Sequence, residues 1–165
     1  MLIGGILTMA TYTLDPVTSM RAETGPVAAG SVFIREVSYD TGAIADGDVY
    51  KMLPIFQGET VVDVLLLASD CDNNTDLTLS VGFSGQNVTD DPNAYISAST
   101  IGQAGGVARL GVATVDGTTY TNLFKTFTEA VDTTRDNRCV ATLDVTGANA
   151  GDGGTLTLRG YFVKN

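Results

Sequence analysis

GAIADGDVYKMLPIFQGETVVDVLLLASDCDNNTDLTLSVGF, residues Gly42–Phe83, alternates runs of β-forming residues with Gly, Asp and Asn punctuation. Asp46-Gly47-Asp48 and Gln57-Gly58-Glu59 read as turns, and Val49–Phe56 between them reads as a strand. Pro54 cannot donate to a ladder, so that strand is expected at a sheet edge or with a bulge. Val61–Ala68 is nearly continuous apolar sequence and reads as a central strand covered on both faces. After a polar loop over Asp70–Thr75, Leu77, Leu79, Val81 and Phe83 alternate with Thr78 and Ser80, which predicts a strand with one buried and one wet face. Strands and turns use up the whole stretch and leave no obvious nucleophile, base or phosphate loop in it.

Upstream, Val32–Tyr39 is β-rich and Tyr39-Asp40-Thr41-Gly42 closes it. Residues 10–30 hold Pro16 and Pro26 with little periodicity and read as an extended arm. Such an arm lies on its own domain or reaches a neighbouring subunit, and its contact candidates are Thr11, Tyr12, Leu14, Pro16 and Arg21. Met1–Thr8 is apolar but lacks the basic flank and length of a signal peptide or membrane helix. Met9 is expected to be the native start, with Met1–Thr8 an upstream extension.

Downstream, Asp91-Pro92-Asn93-Ala94-Tyr95-Ile96 predicts an N-capped helical turn with proline at its first position, broken by Gly102–Gly106. Gly82-Phe83-Ser84-Gly85 misses nucleophile-elbow spacing and reads as a turn. Arg109–Val115 reads as a strand, Asp116-Gly117 as a turn, and Asn122–Val131 as a strand or short helix. Two last strands place Cys139, Ala141, Leu143 and Val145 on one face, then Leu156, Leu158 and Phe162 on another within Thr155–Lys164. Gly147–Gly154 reads as a hairpin connection between them. About eight short strands with at most one or two helical turns predict an all-β fold. The reading is a single antiparallel β-sandwich or jelly-roll domain over residues 31–165, preceded by an N-terminal extension and arm over 1–30.

Composition narrows the chemistry. The chain has 165 residues, enough for one well-buried domain, with 44% hydrophobic and 17% charged residues. Its net charge is −10, from 19 acidic residues against nine Lys and Arg, which opposes binding to nucleic acid or to an anionic membrane. There is no histidine, so serine and cysteine nucleophiles lack their commonest base, and no enzyme, cofactor or small-molecule substrate is expected. Asp70, Asp72, Asn74 and Asp76 fall at every second residue, like the start of a calcium loop. Thr75 stands where that loop needs glycine and Val81 where it needs a bidentate Glu, so a solvated Asx-rich turn is the stronger reading. Of the two cysteines, Cys139 reads as a buried thiol on a strand and Cys71 as a member of the polar loop. The triplets at Asn73 and Asn87 matter only in a secreted protein and are discounted.

The order of turn, proline-bearing strand, hydrophobic strand, Asp-rich loop and alternating strand over Gly42–Phe83 continues into Asp91–Ile96 and Ile101-Gly102-Gln103-Ala104-Gly105, and ends in GTLTLRGYFV (Gly154–Val163). This pattern resembles small structural proteins of tailed bacteriophages that serve as head decoration or cement proteins. The resemblance covers roughly residues 30–165 and rests on order and texture. It implies a domain made in the host cytoplasm and carried on the outer surface of the virion capsid. Its implied partners are the major capsid protein and copies of itself. No functional residue carries over, because the texture defines a core and leaves the contact surface unmarked. A receptor- or carbohydrate-binding β-domain of a phage tail or appendage is the alternative. Against it, Tyr50, Phe56, Phe83, Tyr161 and Phe162 fall in predicted strands rather than loops.

Overall fold

The computed structural model describes residues 10–14, 31–56, 58–72, 76–85, 90–110, 140–146 and 153–164. Among them are nine strands: β1 (Thr11–Thr13), β2 (Val32–Asp40), β3 (Val49–Pro54), β4 (Glu59–Ala68), β5 (Thr78–Ser84), β6 (Asp91–Ser99), β7 (Gly106–Arg109), β8 (Val140–Thr146) and β9 (Thr155–Lys164). One 3-10 turn, Ile101–Gln103, precedes β7. The expected start at Met9, Pro16 and Arg21, Asn74, the triplets at Asn73 and Asn87, Asp116-Gly117, Asn122–Val131 and Cys139 all lie outside the described residues.

The strands form two sheets, one in the order β1-β3-β8-β5-β6 and the other β2-β9-β4-β7. Every pairing is antiparallel except β1 with β3, which is parallel. Period-2 alternation sets which side chains enter the core. From β5 come Leu79, Val81 and Phe83, at 0 to 2% exposure, with Leu77 just ahead of the strand. From β9 come Leu156, Leu158 and Phe162. These pack with Tyr50, Met52, Leu53, Val64 and Leu66 in one cluster drawn from both sheets. Fully burying each large apolar side chain contributes roughly 1.5–3 kcal/mol, so this shared cluster is the main force holding the sheets together.

Several expectations are corrected. β4 is paired on both sides, but it alternates: Val64 and Leu66 are buried while Asp63, Leu65 and Leu67 are only half-buried. Its apolar run therefore serves one core face and one outward face. Asp91–Ile96 is not a helical turn but the first part of β6. Ala94, Tyr95 and Ile96 are buried in succession, which no helix face permits, and register shifts against β5 accommodate them. Pro92 is tolerated because β6 is an edge strand. Gly82–Ser84 belongs to β5 rather than to a turn. A Cβ at Gly82 would lie 1.8 Å from the Asp91 carbonyl oxygen, so only glycine lets β6 approach there. Gly147–Gly154 joins no hairpin, since β8 and β9 belong to different sheets. The strand expected over Arg109–Val115 is displaced: β7 runs Gly106–Arg109 and Leu110 is already in a turn, while residues 111–115 lie outside the described residues. Pro54 behaves as expected: it ends β3 past the reach of β1, next to a bulge between Lys51 and Leu53.

The end of the fold near Asp40 is tied by backbone bonds. The Thr41 N–H donates to Gly154 O at 2.8 Å, Ser69 N–H to Thr155 O at 2.9 Å, and Cys71 N–H to Gly102 O at 2.8 Å. The first two bonds fix the ends of β2, β4 and β9 to one another, and the third ties the residues after β4 to the 3-10 turn.

Candidate interaction face

The outward residues of the four-stranded sheet line up in rows across it. Val32 stands opposite Val163 and Ile34 opposite Tyr161, which continues to Asp63. Glu36, Arg159, Leu65 and Arg109 form the next row, then Ser38, Thr157, Leu67 and Val107. Val32, Ile34 and Val107 are the exposed large hydrophobic residues among those described, at 59%, 58% and 58%. Apolar groups thus occupy two corners of this face, Val32, Ile34, Tyr161 and Val163 at one and Leu65, Leu67 and Val107 at the other. Contiguous exposed apolar surface of this kind marks contact sites more often than scattered single residues do.

Between the corners the charges cancel. Arg159 Nε donates to Glu36, and Arg109 Nε donates to Asp63 at 2.8 Å. Asp63 holds Arg109 above the ordinary arginine range through its hydrogen bond and charge, and Glu36 with Tyr161 does the same for Arg159. The Ser38 and Thr157 hydroxyls share a 2.7 Å hydrogen bond, and Thr155 donates to Asp40 at 2.7 Å. On a chain of net charge −10, the ion pairs leave Asp40 as the one uncompensated charge among the described residues in these rows. At physiological ionic strength, where charges more than about 8 Å away are largely screened, a partner at this face meets mainly its near-balanced local charges. The outer residues of β5 differ in kind: Thr78, Ser80 and Ser84 are small and polar.

The face is held rigid from behind. On the core side of β2, Arg35 makes a two-pronged contact with Glu59, Nη1 to Oε2 and Nη2 to Oε1, both at 2.7 Å. The Phe56 N–H donates to Glu59 Oε2 at 2.9 Å, so the carboxylate also anchors the β3–β4 connection. The guanidinium carbon sits 4.7, 4.7 and 4.6 Å from the ring centroids of Phe33, Phe56 and Phe162. Arg35 faces Gly160 in register, where a Cβ would come within 2.6 Å of the Phe162 ring, so glycine leaves the room this packing needs. Sequence reading missed Arg35 and Glu59. An arginine on the face shared by Phe33, Val37 and Tyr39 was the available signal, since a cation among aromatic residues on one strand face implies a buried partner.

The residues singled out from sequence are placed as follows. Asp70 is exposed and accepts the Asp72 N–H at 3.3 Å. Asp72 is buried and accepts the Leu77 N–H at 2.9 Å, so its carboxylate clamps the loop backbone to the start of β5. Asp76 is exposed. Among the described residues no three His, Cys, Asp or Glu side chains gather as metal ligands. Cys71, expected in a polar loop, is 1% exposed with its thiol donating to Ser69 O, and burial pushes it above the ordinary thiol range. Of the arm residues, Thr11 is exposed, Tyr12 stacks on Tyr50 and Leu14 is buried in the core. Tyr50, Phe56, Phe83 and Phe162 are all buried, and Tyr161 alone of the five aromatic residues noted above faces outward.

No protein-family model matches the chain, and no curated protein matches it in sequence. Solved structures do share the fold. A chain in the capsid of Ralstonia phage GP4 is 24% identical, with a TM-score of 0.67 over 94% of this chain and 99% of that one. A chain in the capsid asymmetric unit of cyanophage Pam1 is also 24% identical, with a TM-score of 0.63 over 90% and 96%. The likeness extends over nearly the full length in both directions, so this chain has the whole fold of those chains.

Proposed function

We propose that this chain is a non-enzymatic structural protein of a tailed-phage virion that binds the outer surface of the capsid and stabilises it. The observation that carries the reading is the pair of apolar corners on the outer face of the four-stranded sheet, flanking paired charges, on a strongly acidic molecule. Fold likeness to chains from two phage capsids supports it. The order β2-β9-β4-β7 beside β3-β8-β5-β6 supports a jelly-roll winding, with β1 an added edge strand. Burial of Tyr50, Phe56, Phe83 and Phe162 removes these four rings from any glycan site, which needs exposed ring faces.

In this reading Val32, Ile34, Tyr161, Leu65, Leu67 and Val107 meet the major capsid protein. Binding only to the assembled shell stabilises that shell by mass action, and many copies make modest individual contacts sufficient. Co-sedimentation with cognate capsids tests it. The wild-type chain is expected to pellet with capsids. Ile34→Asp is expected to abolish pelleting while changing unfolding free energy by no more than about 1 kcal/mol, because Ile34 is exposed. Imaging that finds the protein absent from the shell and retained on the tail rejects the proposal. Undiminished binding by Ile34→Asp removes this face from it.

A further inference from the structure

β1 is bound to the domain unlike any other described strand. It is three residues long, lies at the edge of its sheet and is the parallel member of an otherwise antiparallel set. No tight turn delivers it: its neighbour β3 comes after β2, and β2 belongs to the opposite sheet. Its site on β3 is nonetheless well formed. The Ala10 N–H donates to Asp48 Oδ1 at 2.9 Å, Val49 N–H to Ala10 O at 2.9 Å, and Leu14 N–H to Lys51 O at 3.1 Å. Asp48 is itself 1% exposed and also accepts the Ala45 N–H, so its carboxylate is held in place for the incoming strand. Tyr12 stacks on Tyr50 with ring centroids 4.8 Å apart and planes 10° apart, and Leu14 fills a core position at 7% exposure.

An emptied site would expose Tyr50, the Asp48 carboxylate and the apolar seat of Leu14, so the site needs an occupant. Nothing in these contacts depends on which copy of the chain supplies the strand. The connecting segment 15–31 spans up to about 55 Å when extended, enough to reach a neighbouring domain of this size. Supplying the strand to a neighbour exchanges identical contacts, so its net cost is set mainly by chain entropy and local concentration.

We infer that β1 is an exchangeable strand, and that at high local concentration the β3 edge takes residues 10–14 of a second copy of this chain. The partner is the chain itself, and the contact adds a strand by main-chain pairing with Tyr12 and Leu14 as its anchors. This inference is independent of the capsid reading, because it concerns contacts between copies in solution.

Thr11 and Val49 are register partners, which supplies the test. Thr11→Cys and Val49→Cys are made in separate chains, each carrying Cys71→Ala and Cys139→Ala. The two are mixed over a range of concentrations and oxidised. A link between positions 11 and 49 of different chains, mapped by mass spectrometry and rising with concentration, is the expected result. The inference is overturned if a Thr11→Cys/Val49→Cys double variant closes within one chain while the mixed single variants give no such link. A second measurement does not depend on these variants folding. A chain lacking residues 1–14 is expected to melt lower than the full chain and to recover part of that loss with a synthetic peptide of residues 9–15. No loss on truncation, or a loss that the peptide does not restore at all, equally overturns it.

Discussion

Two arginine–carboxylate contacts on β2 share one chemistry and sit a single residue apart, on opposite faces of the strand. Arg35 meets Glu59 in the core, with side-chain exposures of 3% and 4%. Glu36 meets Arg159 on the outer face, where the exposures are 40% and 38%. Pleating alone separates them, yet their energetics differ. The outer pair works in water, is screened by salt and contributes little to stability. The inner pair has lost its hydration and holds together only because two hydrogen bonds and three aromatic rings replace water around the guanidinium. The lesson is that the inner pair fixes structure, whereas the outer pair shapes a surface without stabilising it much.

The sharpest way to break this contrast is to remove one inner partner. Glu59→Ala leaves Arg35 charged in the core and strips an acceptor from the Phe56 N–H. A loss of about 3–5 kcal/mol in urea unfolding is expected. The double variant Arg35→Met/Glu59→Leu should recover much of that loss, because no uncompensated charge remains. A single variant as stable as wild type would show that the pair is solvated after all.

How much of this was legible in the sequence follows from how local each signal was. Leu77, Leu79, Val81 and Phe83, and again Leu156, Leu158 and Phe162, point one way at strand spacing, and all are buried. The all-β class and most strands could be read from such alternation. Asp91-Pro92 misled because a helix-start signal is local, whereas pairing of β6 with β5 and burial of Tyr95 and Ile96 are decided by tertiary contacts. The residues 147–154 misled in the same way: turn chemistry reports that the chain reverses, not which sheet the next strand joins. The candidate face was least legible. On β2, Val32 and Ile34 share a face with Glu36 and Ser38, while Phe33, Val37 and Tyr39 share the other with Arg35, whose charge hides that this is the inner face. Glu59, distant in sequence, supplies the partner that lets Arg35 turn inward.

Tyr50 extends the contrast to protons. Burial, then the charge of Asp48, pushes its hydroxyl well above the ordinary tyrosine range. An unfolded chain releases that proton near the usual value of about 10, where the native chain still holds it. The unfolded state then binds fewer protons, so stability falls as pH rises past about 10, by about 1.4 kcal/mol per pH unit for this group. Tyr50→Phe should flatten that part of the profile, measured as the urea midpoint against pH. An unchanged slope would mean that Tyr50 is accessible in the native state and would weaken the case for a tightly closed β1 site.

The smallest effect is expected on the outer face and tests the other half of the contrast. Arg109 is 62% exposed at its side chain and bonds only partly buried Asp63. Arg109→Ala should lower the urea midpoint only slightly in dilute buffer, the smallest shift of the variants considered. At 1 M salt, where the screening length is about 3 Å, the difference from wild type should shrink towards zero. The inner pair predicts the opposite, since salt reaches Arg35 and Glu59 poorly and the cost of Glu59→Ala should persist at both salt concentrations. An Arg109→Ala cost that survives high salt would mean that its stem packs on Leu65, its register partner on β4, tightly enough to serve the fold. The outer face would then owe its shape to packing as well as to ion pairing, and its ion pairs could not be exchanged freely to retune a partner.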